Sequence, residues 1–318
     1  MTTPTEPRPA ARLTTRELLT RPDTRRRLTD RVMGGVVALA FLIALVPLVS
    51  VIWTVVSEGV TRLSPYFLAV SMRGVFGGMD AGGIYHAIVG TLLVTGFATL
   101  ISVPIGLLAA VYLVEYGRGR TARAVTFFVD VMTGIPSIVA GLFAYSLFAL
   151  FFGPGVRFGV VGAVALSVLM VPVVVRSSEE MLRLVPNELR EAAYALGVPK
   201  WLTIVKVVLR TAVGGIVTGV MLSIARVIGE TAPLLITLGV IDSINYNLFE
   251  GRMMTLPVYV FRQYSQGLVP CQEGQLECIA TINYDRAWAA ALVLIAIVML
   301  LNLLARLIAR YFAPARGH

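Results

Sequence analysis

An arginine and a glutamate lie in a segment of the sequence that is otherwise apolar. Arg226 and Glu230 fall within residues 219–238, and an arginine at mid-membrane costs at least ~2.5–3.5 kcal/mol on insertion scales, so it must face a wet cavity or a partner. Glu230 follows Arg226 by four residues, close enough on a helix for pairing. A guanidinium keeps its charge and offers a fork of donors that matches an oxyanion. We therefore predict that Arg226 contacts an anion and that Glu230 is its partner when the site is empty. The alternative is a neutralised pair that only fixes helix packing.

Other polar residues accompany this pair. One predicted helix face carries Gly219, Ser223, Arg226, Glu230 and Thr237. Ser223 and Ser137 are candidate pathway-lining residues, although serine in a transmembrane helix more often supports packing. Asp130 is the other acidic candidate within an apolar run.

The sequence contains no GxxxxGK[ST] motif, so ATP hydrolysis is expected in a separate subunit and this chain is not expected to be an enzyme.

The composition decides the broad class of the protein. Hydrophobic residues make up 57% of the 318 residues and charged residues 14%, whereas soluble domains carry about a quarter charged residues. The sequence therefore predicts an all-α integral membrane protein. Six apolar segments are long enough to cross a bilayer, at residues 33–57, 84–114, 125–152, 158–175, 204–240 and 287–311. The second and fifth are longer than a simple span and contain Pro104 and Pro233, so each is expected to tilt or to be interrupted.

The basic residues predict the domain organisation and the orientation. Arginine and lysine concentrate before Met33, in residues 176–210 and near the C-terminus, and are sparse in the loops 58–83 and 241–286. This asymmetry places both termini in the cytoplasm. Residues 1–32 are expected to form a disordered basic cytoplasmic tail, residues 33–312 the transmembrane domain and residues 313–318 a short cytoplasmic tail. Nucleic-acid binding is disfavoured because the basic residues lie between apolar runs.

Both cysteines of the chain, Cys271 and Cys278, fall in the loop 241–286. The predicted orientation exposes this loop to an oxidising compartment, so we expect a local disulfide that braces the loop. The sequence contains no Cys/His cluster, and no metal site is expected.

The loop 186–206 is too polar to span a membrane and is patterned like a helical hairpin. Pro186 and Asn187 are typical of a helix start, Gly197 of a helix end, and Pro199 of a second start. Leu196 and Trp201 would then be exposed unless a partner covers them. The alternative is a loop that folds onto its own bundle.

This loop resembles the EAA loop of ABC importer permeases. The resemblance rests on Glu191-Ala192-Ala193, three further residues and Gly197. It implies a short coupling helix that docks on an ATPase, with Glu191, Ala192, Ala193, Gly197 and Trp201 as the coupling residues. The family usually has a proline after the apolar part of the loop, where this chain has Leu209-Arg210-Thr211.

A narrower resemblance is to the PstA-type permeases of phosphate ABC importers, which have the MetI-like transmembrane domain of type I importers. The matching segments are 225–226, 229–235 (GETAPLL), 133–139 (TGIPSIV), 141–143, and 82–84 leading to Gly90-Thr91.

This second resemblance implies half of a phosphate translocation pathway in a bacterial cytoplasmic membrane. The implied partners are a second, PstC-like permease, a PstB-like ATPase dimer that uses ATP and Mg²⁺, a PstS-like extracytoplasmic phosphate-binding protein and membrane lipid. No cofactor is expected in this chain.

Two other functions remain open at this point. A permease of the same superfamily for sulfate or molybdate would have a similar sequence, because no residue in it measures the size of the ion. An ion-driven secondary transporter or channel would need no ATPase and would have no use for the loop around Glu191 and Gly197.

Overall fold

The structure, a computed structural model, describes residues 24–271 and 278–312, and within these ranges the regular elements are helices. We number them α1 (Thr24–Arg62), α2 (Pro65–Ala69), α3 (Tyr85–Val111), α4 (Gly119–Thr133), α5 (Ser137–Phe152), α6 (Gly159–Arg183), α7 (Asn187–Ala195), α8 (Lys200–Thr203), α9 (Leu209–Val227), α10 (Ala232–Thr237), α11 (Leu256–Gln266) and α12 (Ile282–Phe312). Single π-helical segments, Tyr112–Tyr116 and Ile204–Val208, extend α3 and join α8 to α9.

The chain divides into two compact units, residues 1–54 and 55–318. In the first unit, α1 begins at Thr24, so the last part of the predicted basic tail is helical. The rest of that tail, residues 1–23, and the predicted tail 313–318 lie outside the described residues. The apolar side chains of α1 from Leu28 to Trp53 are mostly exposed, as expected of a helix that faces lipid.

The all-α prediction is confirmed for the described part of the chain. Five helical stretches there are long and apolar enough to cross a membrane: Arg27–Arg62, Tyr85–Tyr116, Gly159–Arg183, Lys200–Val227 and Ile282–Ile308. A sixth crossing is present if α4 and α5 count together as one bent span.

One of the predicted spans needs correction, and another shows the interruption that the sequence analysis named as one outcome. The expected span 125–152 is two helices, α4 and α5, that meet at an angle of 109°. The connection contains Gly134 and Pro136, and a proline disfavours the helical conformation of the residue before it. The expected span 204–240 ends at Val227, and the chain re-enters a helix only at Ala232, with Pro233 in the first turn. By contrast, α3 continues through Pro104.

The second unit is built around α6, which is the most deeply buried of the candidate spans. Small residues let neighbouring backbones approach. A Cβ on Gly106 of α3 would lie 2.7 Å from the Val174 side chain of α6, and one on Gly219 of α9 would lie 2.4 Å from Ser177 Oγ. Because lipid gives no hydrophobic drive for helices to associate with one another, such close packing holds membrane helices together.

The two broken spans meet at a glycine. A Cβ added to Gly141 of α5 would lie 2.6 Å from Pro233 Cα of α10, a distance that no side chain tolerates. The contact packs the start of α5 against the first turn of α10, so the two interrupted spans touch close to their breaks.

We expect Gly141→Val to separate α5 from α10. Overpacking of this kind costs about 1–3 kcal/mol, so the purified protein in detergent should show a lower thermal unfolding midpoint. Gly96→Val on α3 is the matched control, since a Cβ at Gly96 meets nothing within 4 Å. Equal midpoints for the two variants would contradict the packing described here.

Candidate functional site

Helix α9 has one face buried in the bundle and one face exposed in the single chain. The polar residues that the sequence predicted to share one face are divided between them. Gly219, Ser223 and Val227 are buried, whereas Thr218, Leu222 and Arg226 are exposed in the single chain. Arg226 lies in the last turn of α9, at the edge between the two faces. Its long side chain therefore points to the surface that the chain itself leaves uncovered.

The predicted pairing of Arg226 with Glu230 is not present. The helix stops at Val227, and the Glu230 amide donates to the Val227 carbonyl at 3.1 Å in a turn. The four-residue spacing therefore does not bring the two side chains together, and no ion pair between them occurs among the described residues. Glu230 is partly buried.

The other polar candidates have packing contacts of their own. The Ser223 hydroxyl donates to the Val220 carbonyl at 2.6 Å, and the buried Thr237 hydroxyl donates to the Pro233 carbonyl at 2.8 Å. Both lie inside the bundle rather than on the open face. Ser137 is the first residue of α5 and is partly buried at the bend.

A charge network between α4 and α6 was missed by the sequence analysis. Arg176 bonds the Asp130 carboxylate of α4 and also the Glu179 carboxylate, at 2.9 Å, one turn further along α6. Arg183 reaches the other oxygen of Glu179 at 2.6 Å. The alternation of charge at 176, 179 and 183 is a helical signal, but the partner on α4 is 46 residues away in sequence.

The loop between α6 and α9 is a helical hairpin, as its sequence indicated. Gly197 has a φ of +74°, which is favourable only for glycine, between α7 and α8. Ala193 packs inward, while Glu191, Ala192 and Trp201 are exposed. A surface that we call the hairpin surface is formed by Tyr194, Leu196 and Trp201, of which Leu196 is 84% exposed. Three exposed large apolar side chains at one turn are typical of a binding surface.

Buried charges attach this hairpin to the end of α3. Arg190 of α7 bonds Glu115 at 2.9 Å, and both side chains are largely buried. Arg190 also donates to the carbonyls of Leu182 and Val185. Lys200 of α8 bonds the Glu115 carbonyl and lies 4.5 Å from the centre of the Tyr116 ring. Since Glu115 and Tyr116 belong to the π-helical segment that ends α3, these contacts anchor the hairpin to the end of that span.

The opposite end of the unit carries the disulfide. The structure joins Cys271 to Cys278, with their Cα atoms 5.8 Å apart. Cys278 pairs with Met79 in an antiparallel bridge, and the Ile279 amide donates to the Gly78 carbonyl at 2.9 Å. The disulfide thus closes a small ring within the long loop before α12, and the backbone bridge beside Cys278 attaches that loop to the loop before α3. Within the described residues no group of three or more potential metal ligands occurs.

The class of protein follows from these features. Apolar helices long enough to cross a membrane, two interrupted spans and a polar helical hairpin with an exposed apolar surface are typical of a membrane permease. A family model described as the inner membrane component of binding-protein-dependent transport systems matches residues 102–318. The chain belongs to this family.

Several curated relatives are similar over nearly the whole chain. It is 48% identical over 296 residues to phosphate transport system permease protein PstA 1 of Mycobacterium tuberculosis (strain CDC 1551 / Oshkosh), covering 92% of each chain. It is 48% identical to the PstA protein of Mycobacterium leprae over 88% of each chain. The PstA protein of Pasteurella multocida is 38% identical, with 89% of this chain and 95% of the relative covered.

Solved structures share the fold. A chain of the inward-facing MetNI methionine ABC transporter matches with a TM-score of 0.54 and 19% identity, covering 79% of this chain and 100% of that one. A chain of a bacterial alginate ABC transporter matches with a TM-score of 0.61 and 14% identity, covering 90% and 96%. The predicted type I importer fold is confirmed by the family and by these structures.

We expect Glu115→Gln to loosen the hairpin. Removing one partner of a buried ion pair costs ~3–5 kcal/mol, because Arg190 stays buried without its carboxylate. Hydrogen exchange of residues 187–200 should become faster in the purified protein. Glu188→Gln, an exposed change on α7 itself, is the control and should leave the exchange unchanged. Unaltered exchange in Glu115→Gln would show that the pair does not hold the hairpin.

The disulfide predicts that neither cysteine reacts with an alkylating reagent until the protein is reduced. Mass spectrometry should then find two added groups only after reduction. Labelling of both thiols without reductant would contradict the bond. Replacement of both cysteines by serine should leave the protein's transport activity largely intact, since the bond is remote from Arg226 in the sequence and lies at the other end of the unit from the hairpin.

Proposed function

We propose that this chain is the permease subunit of an ATP-driven importer of inorganic phosphate and forms half of the translocation pathway. The observation that carries the proposal is the 48% identity, over 92% of both chains, to a protein named as a phosphate transport system permease. The membership of a binding-protein-dependent transport family is consistent with it and disfavours an ion-driven secondary transporter or channel.

Arg226 is the proposed anion contact. The residue belongs to an apolar helix but lies on the face that the chain leaves open, so a second permease would complete the pathway around it. A guanidinium offers two parallel donors to phosphate oxygens. In the structure no carboxylate among the described residues pairs with Arg226, which leaves these donors available. Glu230, beyond the helix break, is the proposed neighbour that competes for the guanidinium in another conformation and allows the ion to leave.

The hairpin surface is the proposed contact with the ATPase. Its apolar side chains Tyr194, Leu196 and Trp201 fit a groove on a partner, and Glu191, Ala192 and Ala193 form the adjoining helix face. The Glu115–Arg190 and Lys200 contacts carry closure of the ATPase to α3. In this scheme ATP and Mg²⁺ are used by a PstB-like ATPase dimer, and this chain has no ATPase site of its own.

The remaining assignments follow from the charge distribution in the sequence. Both termini and the hairpin are proposed to lie in the cytoplasm, and the disulfide end outside a bacterial cytoplasmic membrane. There a PstS-like phosphate-binding protein would deliver the ion, and a PstC-like permease would be the second half of the pathway. Sulfate and molybdate are the alternative substrates. Measuring how well each anion inhibits phosphate uptake distinguishes a phosphate importer from an importer of either one.

We expect Arg226→Gln to abolish phosphate uptake while the complex still assembles, because the variant keeps length and some hydrogen bonding but loses the charge. Arg226→Lys should recover only part of the rate, since an ammonium lacks the fork. Uptake into proteoliposomes and the yield of purified complex are measured side by side.

Arg210→Gln provides the control for Arg226. It removes an exposed arginine from the same helix α9 and should transport normally. A normal rate in Arg226→Gln, or a failure of that variant to assemble, would move the anion site elsewhere.

We expect Gly197→Val to prevent association with the ATPase, because a branched residue is strained at a φ of +74°. Insertion into the membrane should persist, and co-purification with the ATPase is the measurement. Gly155→Val imposes the same backbone strain at a φ of +87°, in the turn before α6, and should still bind. Equal recovery of ATPase with both variants would refute the docking role.

A further inference from the structure

A polar cavity lies at the disulfide end of the second unit. Its volume is about 370 Å³, and its polar wall is formed by Asp242, Arg262, Gln263, Gln266, Asn283 and Arg286. The other wall is apolar and comes from the loop before α3, with Met72, Val75 and Phe76. Cavities that combine an apolar wall with a few converging polar groups are typical of ligand sites.

Arg286 is a buried charge without an acidic partner. The residue is 2% exposed, and its Nη2 donates to the carbonyls of Met79 at 2.7 Å and Ala81 at 2.8 Å. Its Nε is buried without an acceptor. In the described ranges no carboxylate lies within ion-pair distance of this guanidinium. Burying an arginine is costly unless an opposite charge accompanies it, and the cavity is the space in which that charge fits.

The side chains beside Arg286 can hold an anion and can also accept a hydrogen bond from its hydroxyl group. Arg262 presents a second guanidinium, which is paired with Asp242 at 2.6 Å and is partly exposed. Gln263 is 3% exposed, and its Oε1 is buried without a donor. The cavity wall therefore carries two positive charges and one negative charge, and two of its residues, Arg286 and Gln263, each have a buried polar atom that lacks a partner.

We propose that this cavity binds a tetrahedral phosphoryl oxyanion, with Arg286 and Arg262 as its cationic ligands and Gln263 as the acceptor for its hydroxyl. Monohydrogen phosphate supplies oxygens for the two guanidinium groups and one O–H for Gln263 Oε1. Sulfate has no proton at neutral pH and leaves Gln263 unsatisfied. The same chemistry is supplied by free phosphate or by the headgroup of a phospholipid.

The site goes beyond the proposed function, because it lies outside the Arg226 region and binds without ATP or transport. Only the choice of phosphate as the free ion rests on that function. In the orientation proposed above, the cavity would hold the ion at the outer end of the permease.

The test uses a reporter cysteine in the assembled importer. Gln266→Cys places a thiol at the exposed rim of the cavity, while the chain's own cysteines are joined. Labelling by a neutral maleimide is followed on this chain in lipid-free nonionic detergent, with phosphate, sulfate or chloride at equal ionic strength. We expect phosphate to slow labelling at a concentration about tenfold lower than sulfate, which corresponds to about 1.4 kcal/mol for the hydrogen bond to Gln263 that only phosphate makes, and chloride to have no effect.

Two further substitutions in the reporter background test the ligands, and a third is the control. Arg262→Gln should raise the protecting concentration of both oxyanions about tenfold. Gln263→Met keeps the side-chain volume and removes the acceptor. Phosphate and sulfate should then protect the reporter cysteine at the same concentration. Arg73→Gln removes an exposed arginine from the same loop as Met72 without changing the cavity lining, and should change nothing.

A repeat in nanodiscs containing phosphatidylglycerol identifies the source of the phosphoryl group. Constant protection without added phosphate there would assign the site to a lipid headgroup, whereas a response to free phosphate assigns it to the ion. Equal protection by chloride, equal protection by sulfate in the reporter protein, or no protection by either phosphate or lipid would overturn the proposal. Protection should persist in Arg226→Gln, so loss of uptake in that variant and loss of this site are separate results.

Discussion

Backbone polar groups cannot remain unpaired in lipid, and this constraint shapes the whole transmembrane unit. Two of the predicted spans are interrupted, one between α4 and α5 and the other between α9 and α10. Each interruption frees amides and carbonyls that a bilayer cannot satisfy. The contact of Gly141 with Pro233 places the two interruptions against each other. Gly134, Pro136 and Gly229 at these breaks are exposed in the single chain, so a partner subunit or a wet pathway has to satisfy the freed backbone groups there.

A buried charge, like a buried backbone group, is costly unless it has a partner, and this cost governs where the charged side chains lie. Arg176 is neutralised by Asp130 and Glu179, and Arg190 by Glu115. The bonds of Arg176 to Asp130 and of Arg190 to Glu115 join segments that are distant in sequence, and loss of Glu115 would leave the charge of Arg190 largely buried. Arg226 and Arg286 differ, because neither has a carboxylate partner among the described residues. One lies on the open face of α9, and the other borders a cavity. An arginine without a partner in such surroundings indicates that another molecule supplies the negative charge.

The sequence was sufficient for features that depend on local chemistry. Apolar runs predicted the helices, Gly197 predicted the turn of the hairpin, and the two cysteines were expected to pair within one loop. It was insufficient where the outcome depends on contacts between distant segments. The pairing of Arg226 with Glu230 assumed one continuous helix through Gly229 and Pro233, and the chain breaks there instead. Glu115 and Arg190 are 75 residues apart, and no periodic pattern in one segment identifies such a partner.

The central claim is that this chain conducts phosphate only as part of an ATP-driven complex. Uptake of radiolabelled phosphate into proteoliposomes containing this chain, its second permease and the ATPase tests it most directly, with the binding protein added on the outside. We predict uptake that requires ATP at the hairpin side of the membrane, requires the binding protein, and is not suppressed by a large excess of sulfate. Uptake that proceeds without ATP, or that sulfate abolishes while phosphate competes poorly, would contradict the account.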